Sequence, residues 1–286
     1  MTHRMFWQRT PFPGNVGDII GPWLYEQDTG TNPTWVDRTT PGATFTAGSI
    51  AGLATDGAFV WGSGFLKDND KGSPTVTYTA IRGPLSRELV LRGGGTCPRL
   101  YGDPALCLPL VHPETLRSSW EVGIVPHYVD GERVRTLYVN QLGAGQFTVI
   151  SPLMPVPWFI HKICSCHVIA SSSLHGIIIA HAYGVPAVWT PFSDLVLGGG
   201  FKFRDYAEGV EMDLPAYYLQ NEPKPMPASW FHDRATLPPP YDPQPLWEAR
   251  PWARTSPSSS PDAPPATSPR PEGSRTWPPG TDGTVS

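Results

Sequence analysis

Residues 167–186 read His167-Val-Ile-Ala-Ser171-Ser-Ser173-Leu-His175-Gly-Ile-Ile-Ile-Ala-His181-Ala-Tyr-Gly-Val-Pro186. The segment 167–170 is short and rich in β-branched residues, which predicts a buried strand, whereas residues 174–183 are apolar on all sides, as in a buried helix. Three serines separate the two elements. In an open α/β sheet, the turn from a strand's carboxyl end into a helix exposes backbone N–H groups that attract phosphate or carboxylate. The stretch therefore predicts an anion site at the serines and His175.

A second interpretation of the same residues stays open at this point. The serines could simply cap the helix, and His175 could be a hydrogen-bonded residue of the core, since buried caps are common. The residue types alone do not choose between a cap and a ligand site.

Length and composition restrict the class of protein. A chain of 286 residues is long enough for two domains and a tail. A net charge of −4, with 16% charged residues, argues against a nucleic-acid-binding protein. No apolar run approaches the ~20 residues that cross a bilayer, and the first nine residues lack the apolar core of a signal peptide, so we expect a cytoplasmic protein.

The four cysteines do not form a disulfide framework in a chain of this size, and we expect them to be reduced. Cys164 and Cys166, with His161 and His167, are the one group with the residue types of a metal site. Strand alternation sends Cys166 and His167 to opposite faces, whereas tetrahedral zinc needs four converging ligands. We therefore predict packing for these residues and no metal.

Two elements of the first half predict a ligand cleft. Asn15-Val-Gly17-Asp18 runs from a Gly/Pro-rich loop into a helix, with two capping residues around a glycine that allows close backbone approach. A strand at 58–61 leads into Gly62-Ser-Gly64, which we assign to the cleft wall. It lacks the third glycine of a dinucleotide-binding fingerprint, so NAD is not predicted.

Another strand, at 75–80, leads into Ile81-Arg82-Gly-Pro-Leu-Ser-Arg87. Arg82 is then at the strand's carboxyl end, and a guanidinium suits a phosphate or carboxylate bidentately. The two arginines could equally be solvated surface charges. Asp103, in Gly102-Asp-Pro104, either presents a carboxylate to the cleft or accepts N–H bonds within the turn, and the turn is slightly favoured.

The second half begins at Val122-Gly-Ile-Val-Pro126, whose exit carries His127 and Tyr128. His127 is a second proton-transfer group, a substrate contact or a solvated loop residue. Further along, residues 198–200 are three glycines that predict a hinge before a short helix with two cations, Lys202 and Arg204.

Strands alternating with helices in two successive halves predict two doubly wound, Rossmann-like α/β domains facing across a cleft. We place the first domain at 1–115, the second at 116–218, and a disordered Pro/Ser-rich tail at 219–286. Residues 221–286 hold 17 of the 35 prolines and few aliphatic residues, too little apolar surface to offset chain entropy. If part of the tail packs, its expected anchors are Trp230, Phe231 and Trp247.

Six of these elements, in order over about residues 6–215, resemble the polysaccharide pyruvyl transferase family. They are the Asn-x-Gly-Asp element, Arg-Gly-Pro-x-Ser-Arg, Gly-Asp-Pro-Ala, Ile-Val-Pro-His-Tyr-Val-Asp, the Ser-Ser-Ser-Leu-His-Gly signature, and the Lys-Phe-x-Asp-Tyr segment. The resemblance implies a glycosyltransferase B-like fold and transfer of a pyruvyl group from phosphoenolpyruvate to two sugar hydroxyls, forming a ketal and releasing phosphate.

The resemblance also implies roles for residues. Proton transfer falls to His175 and His127, and donor binding to Arg82, Arg87, Ser172, Ser173, Leu174 and Lys202. The cleft and substrate residues are Asn15, Gly17, Asp18, Gly62, Gly64, Asp103, Tyr128 and Arg204. Phosphoenolpyruvate is a substrate here, and no cofactor is expected. Many members carry arginine where this chain has Ser173, so that Arg82, Arg87 or Lys202 must supply that charge, and the usual acid after Ile-Ala is here His181.

The implied acceptor is a sugar of a surface or extracellular polysaccharide, in a lipid-linked oligosaccharide or a repeat unit. That chemistry fits a location in the cytoplasm or, by peripheral association, at the inner face of the membrane. Two other functions stay open: a nucleotide-sugar glycosyltransferase of the same fold, and a catalytically inactive binding or assembly protein.

Overall fold

The computed structural model describes residues 3–138, 145–222 and 224–255, and within them two parallel β-sheets follow one another along the chain. The first sheet has the order β2-β1-β3-β4-β5 and the second has the order β7-β6-β8-β9. The strands are β1 Arg4–Phe6, β2 Thr34–Trp35, β3 Thr44–Phe45, β4 Phe59–Trp61, β5 Thr77–Ala80, β6 Trp120–Val125, β7 Phe147–Val149, β8 Cys166–Ser171 and β9 Ala187–Trp189.

Helices connect the strands and continue the chain beyond β9. They are α1 Val16–Thr29, α2 Pro84–Arg92, α3 Leu108–Val111, α4 Gly131–Tyr138, α5 Val156–Ile163, α6 Leu174–Ala182, α7 Phe201–Gly209, α8 Ala228–His232 and α9 Gln244–Glu248. Helix α1 starts at a complete capping box between Asn15 and Asp18 and ends at Gly30, whose φ of 68° is the left-handed conformation that favours glycine.

The predicted parallel α/β class is confirmed. The strands predicted at 58–61, 75–80 and 167–170 are present as β4, β5 and β8, and α6 lies where the sequence predicted a helix. Strands β1, β2 and β3 were missed, because each has only two or three residues and gives little periodicity to detect. The facing-domain arrangement of a glycosyltransferase B-like fold stays a prediction.

The two halves share one hydrophobic core. Met5 and Ile20 of the first half belong to the same buried cluster as Ile160 and Ile177 of the second. Two smaller clusters lie mostly within one half each, and Phe201 of α7 joins the cluster of the first half. The domain bounds 1–115 and 116–218 stay predictions.

The prediction of a disordered tail from residue 219 is wrong for residues 219–222 and 224–255. Phe231 of α8 is fully buried in the second half, while Leu246 and Trp247 of α9 are buried against the first. The indole Nε1 of Trp61 donates to the Leu246 carbonyl oxygen at 2.8 Å. A few large side chains therefore anchor a segment whose average composition is typical of disorder, and residues 256–286 lie outside the described residues.

None of the helices in the described part of the chain is both long enough and apolar enough to span a bilayer.

We predict that Leu246→Ala lowers the free energy of unfolding by ~2–5 kcal/mol, because it empties a fully buried site in the core. Leu237→Ala is the matched control in the same proline-rich segment; Leu237 is 45% exposed, so its loss should change stability by no more than ~0.5 kcal/mol. Urea unfolding followed by tryptophan fluorescence measures both. Equal stability of the two variants would show that α9 does not pack in solution.

Candidate active site

A cavity of about 430 Å³ opens where strands of both sheets end. Its walls come from the segments that follow β1, β3, β4, β6, β7 and β8, together with α7. The carboxyl ends of parallel strands are the usual place for ligands in α/β proteins. The lining residues are Gln8, Asn15, Asp18, Gly48, Ser49, Ile50, Gly52, Leu53, Leu66, Lys67, Asp70, His127, Tyr128, Pro152, Ser173, Leu174, His175 and Lys202.

Eight of the sequence-predicted residues line this cavity: Asn15, Asp18, His127, Tyr128, Ser173, Leu174, His175 and Lys202. They come from four separate stretches of the sequence, and the fold brings them together. The other eight predicted residues lie behind the cavity wall or away from it: Gly17, Gly62, Gly64, Arg82, Arg87, Asp103, Ser172 and Arg204.

The start of helix α6 faces the cavity. Ser173 is its N-cap residue, yet within the described part of the chain the Ser173 side chain makes no capping hydrogen bond. The neighbouring Ser171 and Ser172 side chains form other hydrogen bonds. Ser171 Oγ accepts from the Ser173 N–H at 3.0 Å and contacts the Val125 carbonyl oxygen at 2.9 Å, and Ser172 Oγ donates to the buried Asp130 at 2.9 Å. The first turn of α6 therefore keeps N–H groups available for an anion.

His175 lies against the first half of the chain. Its Nε2 is buried 3.4 Å from Asp103 Oδ2, although no described residue forms a hydrogen bond with it. On its other side the ring covers Gly17, where an added Cβ would lie 2.0 Å from His175 Nδ1. Gly17 is thus required for space, and the fully buried Asp103 supports the ring from behind the wall. Asp103 also accepts from the Ala105 N–H at 3.0 Å, which confirms its turn role.

Asp18 belongs both to the capping box of α1 and to the cavity. Its Oδ2 accepts from the Asn15 backbone N–H at 3.1 Å and from the Asn15 side-chain amide. Burial raises the pKa of the Asp18 carboxyl to about 6, and the Asn15 N–H bond and the charges of His175 and Lys202 oppose this increase. A carboxyl with this pKa changes its protonation state close to neutral pH.

Lys202 brings a cation from α7 into the cavity. Burial, followed by the charge of Arg82, lowers the pKa of its ammonium to about 8, while the Asp18 carboxylate acts in the opposite direction. Lys202 can therefore be charged or neutral within the physiological range. Lys67, which the sequence did not single out, is the other lysine among the residues that line the cavity.

His127 and Tyr128 form the rim contributed by the exit of β6. Their ring centroids are 4.5 Å apart, and the His127 backbone N–H donates to Ser172 Oγ at 2.8 Å. Burial and the charge of Lys202 lower the pKa of His127 to about 4. Its Nδ1 is buried without a hydrogen-bond partner among the described residues. His127 is thus a neutral imidazole at pH 7 with one nitrogen unpaired.

The expectation that Arg82 contacts a ligand is corrected. Arg82 is fully buried, and its Nε donates to Asp205 Oδ2 at 2.9 Å. Its other nitrogens donate to Ser49 Oγ and to the carbonyl oxygens of Gly48 and Phe65 at 2.8–3.3 Å. All three guanidinium nitrogens are thus engaged within the protein, so Arg82 orders the cavity wall and does not reach into it.

Four further predicted residues are also corrected to structural roles. Arg87 Nε donates to the Cys97 carbonyl oxygen at 3.0 Å, and Arg204, which is exposed, donates to that of Gly199 at 3.0 Å. An added Cβ at Gly62 would lie 2.5 Å from Pro104 Cδ, and one at Gly64 would lie 2.2 Å from Arg82 Cζ. These glycines permit close packing behind the cavity and do not line it.

The cysteine–histidine group has the buried thiols that packing predicts. Cys164 and Cys166 are buried, and burial raises the pKa of each thiol to about 12. Cys166 Sγ donates to the Lys162 carbonyl oxygen at 3.2 Å. His181 also lies in the core: its Nε2 donates to the Thr236 carbonyl oxygen at 3.1 Å, so its Nδ1 accepts from the Tyr206 hydroxyl at 3.0 Å.

Two parallel sheets define an α/β protein, and the histidine, the lysine and the helix start without a side-chain cap at their carboxyl ends form an arrangement that suits an anion. Residues 73–194 match the family model described as polysaccharide pyruvyl transferase, which confirms the resemblance to that family. This segment contains Arg82, Asp103, His127 and His175, while Asn15, Asp18 and Lys202 lie outside it.

Two curated relatives are similar to part of the chain. The uncharacterized protein L143 of Acanthamoeba polyphaga mimivirus is 33% identical over 117 residues, or 39% of this chain and 41% of the relative. Succinoglycan biosynthesis protein ExoV of Rhizobium meliloti (strain 1021) is 30% identical over 131 residues, or 45% of this chain and 39% of the relative. The chain thus spans about two fifths of the length of the curated relatives it matches.

We predict that Asp18→Asn stabilises the fold at neutral and alkaline pH. Because the folded-state pKa is raised from 3.8 to about 6, the folded protein binds this proton more tightly than the unfolded chain, and ionisation lowers stability as the pH rises through that window. Below pH 3.8 the Asp18 carboxyl is protonated in both the folded and the unfolded protein. The stability gained by Asp18→Asn should therefore vanish there.

Urea unfolding from pH 3.5 to 8 measures this gain. Asp37→Asn is the control of opposite sign, since hydrogen bonds from Thr39 lower the pKa of the exposed Asp37 carboxyl. A gain from Asp18→Asn that is the same at every pH would show that this carboxyl ionises normally.

Proposed function

We propose that this protein transfers a pyruvyl group from phosphoenolpyruvate to two hydroxyls of a sugar in a polysaccharide precursor. The single observation that carries the proposal is the cavity in which His175, Lys202 and the uncapped start of α6 meet, within a chain whose residues 73–194 match the pyruvyl transferase family. The relative named for succinoglycan biosynthesis supports an exopolysaccharide context.

The donor carries a phosphate and a carboxylate, so its site needs positive charge. The first turn of α6 offers N–H groups, and Lys202 offers a partly buried ammonium. Many family members have arginine where this chain has Ser173. Of the three cations that the sequence offered as replacements, Lys202 alone lines the cavity, because Arg82 and Arg87 hydrogen-bond within the protein.

The reaction then removes two protons from the sugar hydroxyls, delivers one to carbon 3 and gives one to the departing phosphate. A proton adds to carbon 3 of phosphoenolpyruvate while the first sugar hydroxyl adds to carbon 2 and loses its own proton. Phosphate leaves with the C–O bonding pair, and the second hydroxyl adds to the resulting cation and loses its proton, which closes the ketal. His175 is the proposed proton-transfer group, since histidine both donates and accepts protons near neutral pH.

Asp103 is the proposed positioning residue for His175. Its Oδ2 lies 3.4 Å from His175 Nε2, on the buried side of the ring, and an added Cβ at Gly17 would overlap the same ring, so Asp103 and Gly17 together fix its position. His127 is a weaker candidate for protonating carbon 3, because burial keeps it neutral at pH 7. It can instead contact the acceptor sugar as part of the cavity lining.

The proposed reaction needs no cofactor, since phosphoenolpyruvate itself supplies the leaving group. The proposed acceptor is a lipid-linked oligosaccharide or repeat unit, met in the cytoplasm or at the inner face of the membrane. A nucleotide-sugar glycosyltransferase would instead turn over nucleotide sugars, and an inactive binding protein would bind phosphoenolpyruvate without releasing phosphate from it. A phosphate-release assay with a panel of saccharide acceptors separates the three functions.

We predict that His175→Gln lowers turnover by ~10²–10⁴, the usual loss when a general acid or base is removed, while phosphoenolpyruvate still binds. Phosphate release and calorimetric titration of phosphoenolpyruvate measure the two quantities. His232→Gln is the matched control, because His232 pairs with Glu121 outside the cavity. If His175→Gln turns over like the parent protein, the assignment fails and His127 is the next candidate.

We predict that Lys202→Gln weakens phosphoenolpyruvate binding by about ten- to a hundredfold, since a charge-assisted hydrogen bond contributes ~1.5–3 kcal/mol. In the parent protein, affinity should fall as the pH rises through about 8, where the ammonium loses its proton. Lys202→Arg should retain affinity and lose this pH dependence, because guanidinium stays charged.

Calorimetric titrations from pH 6.5 to 9.5 test both effects. Arg204→Gln is the matched control, because it removes an exposed cation from the same helix. Unchanged affinity in Lys202→Gln would contradict the donor-binding role of Lys202.

A further inference from the structure

A second depression, here called the aromatic groove, lies beside the cavity and has no role in the proposed chemistry. It has a volume of about 430 Å³, and three aromatic side chains, Trp7, Phe12 and Trp23, line it together with Arg9 and Glu26. Phe12 is 75% exposed, which is unusual for so large an apolar ring.

The groove and the cavity share their walls. The loop after β1 contributes Gln8 to the cavity and the adjacent Trp7 and Arg9 to the groove. Helix α1 and the segment before α5 likewise line both spaces. Where these segments meet, the Val16 N–H donates to the Pro152 carbonyl oxygen at 2.7 Å. A ligand that occupied both the cavity and the groove would have to pass over this shared wall. Such a ligand would need several linked units, for example several sugar rings.

The polar groups of the groove are arranged among ring faces. The Arg9 guanidinium carbon lies 5.0 Å from the Phe12 ring centroid and 5.1 Å from that of Trp35, so the cation holds the two rings in place. Trp35 is fixed in turn by its Nε1, which donates to the Trp7 carbonyl oxygen at 3.1 Å. Glu26 and Asn32 add hydrogen-bonding groups.

This combination matches a saccharide more closely than other ligands. A pyranose ring presents C–H groups on its faces and hydroxyls on its edge, which suit aromatic faces and polar side chains respectively. A nucleic acid would meet a chain of net charge −4, and an apolar peptide segment would leave Arg9 and Glu26 without new partners. Because Arg9 and Glu26 carry opposite charges, the groove suits a ligand without net charge.

We propose that the aromatic groove binds the sugar units next to the one that is modified, so that affinity for the acceptor increases with its length. This inference rests on the proposed function for the identity of the ligand in the cavity. The groove then selects acceptors by length, and Phe12 and Arg9 are its specificity-determining residues.

The test compares acceptor length in the full chain and its variants. Probes are glucose-, galactose- and mannose-based saccharides of one unit and of four to six units, titrated without phosphoenolpyruvate by ligand-observed NMR. We expect the longer form of at least one series to bind about tenfold more tightly than its monosaccharide. Phe12→Ala and Arg9→Gln should each remove most of this gain, a change of ~1.4 kcal/mol per tenfold.

Tyr218→Ala is the matched control, since Tyr218 is 61% exposed and does not line the groove. Calorimetry with phosphoenolpyruvate should give the same affinity for all three variants and the parent. No length dependence in any series, or equal loss in Tyr218→Ala, would overturn the inference.

The outcomes separate this inference from the proposed function. If phosphate release from phosphoenolpyruvate depends on a saccharide but the acceptor KM is unchanged in Phe12→Ala, the proposed function is retained. The role of the groove in acceptor binding is then rejected. If saccharide binding depends on length and this dependence is lost in Phe12→Ala, but no acceptor gives phosphate release, the role of the groove is retained. The proposal of pyruvyl transfer is then rejected.

Discussion

The buried ion pair between Arg82 and Asp205 fixes the geometry on which the rest of the site depends. Both side chains are fully buried, and Asp205 also accepts from the backbone N–H and the hydroxyl of Ser86 at 2.7 and 2.6 Å. An added Cβ at Gly83 would lie 1.7 Å from the Asp205 carbonyl oxygen, so α7 approaches this turn as closely as a backbone can. Because Lys202 is one turn earlier on α7, the ion pair places its ammonium in the cavity. A buried pair of this kind adds little net stability, but losing one partner would leave a charge uncompensated.

Parallel topology explains why residues far apart in sequence meet at one place. Every strand of both sheets runs parallel to its neighbours, so the segments that follow them emerge at one edge of each sheet. Asn15 and Asp18 follow β1, His127 follows β6 and His175 follows β8. The low dielectric of this edge then shifts the pKa of Asp18 and of Lys202 in opposite directions, to about 6 and about 8. Their protonation states are therefore sensitive to any anion that enters.

The sequence predicted the starts of α1 and α6 and the exit of β8 well, because local patterns determine them. Asn15, Asp18 and His175 follow directly from capping and periodicity. Arg82 was misassigned because a buried arginine and a ligand-binding arginine have the same local pattern, and its partner Asp205 lies 123 residues away. Lys67 and Ser49 were missed since only the tertiary fold brings the turns after β3 and β4 to the cavity. The amino-acid composition also gave a wrong prediction of disorder for residues 219–222 and 224–255. Phe231, Leu246 and Trp247 provide enough buried surface to order this proline-rich segment.

Ser173 stands where the resemblance to the pyruvyl transferase family implies an arginine, and serine would hold an anion differently. An arginine before Leu174 would present its own cation at the helix start. Serine presents no charge, and within the described residues its side chain does not cap α6. Ser171 secures the turn instead, with its Oγ 2.9 Å from the Val125 carbonyl oxygen and 2.7 Å from that of Ser173. The first turn of α6 thus has no side-chain cap from Ser173, although the Ser173 and Gly176 N–H groups are hydrogen-bonded within the turn. In the proposed function, the cation that faces this helix start is Lys202. Because that ammonium titrates near pH 8, whereas a guanidinium does not titrate in this range, anion binding here is expected to depend on pH.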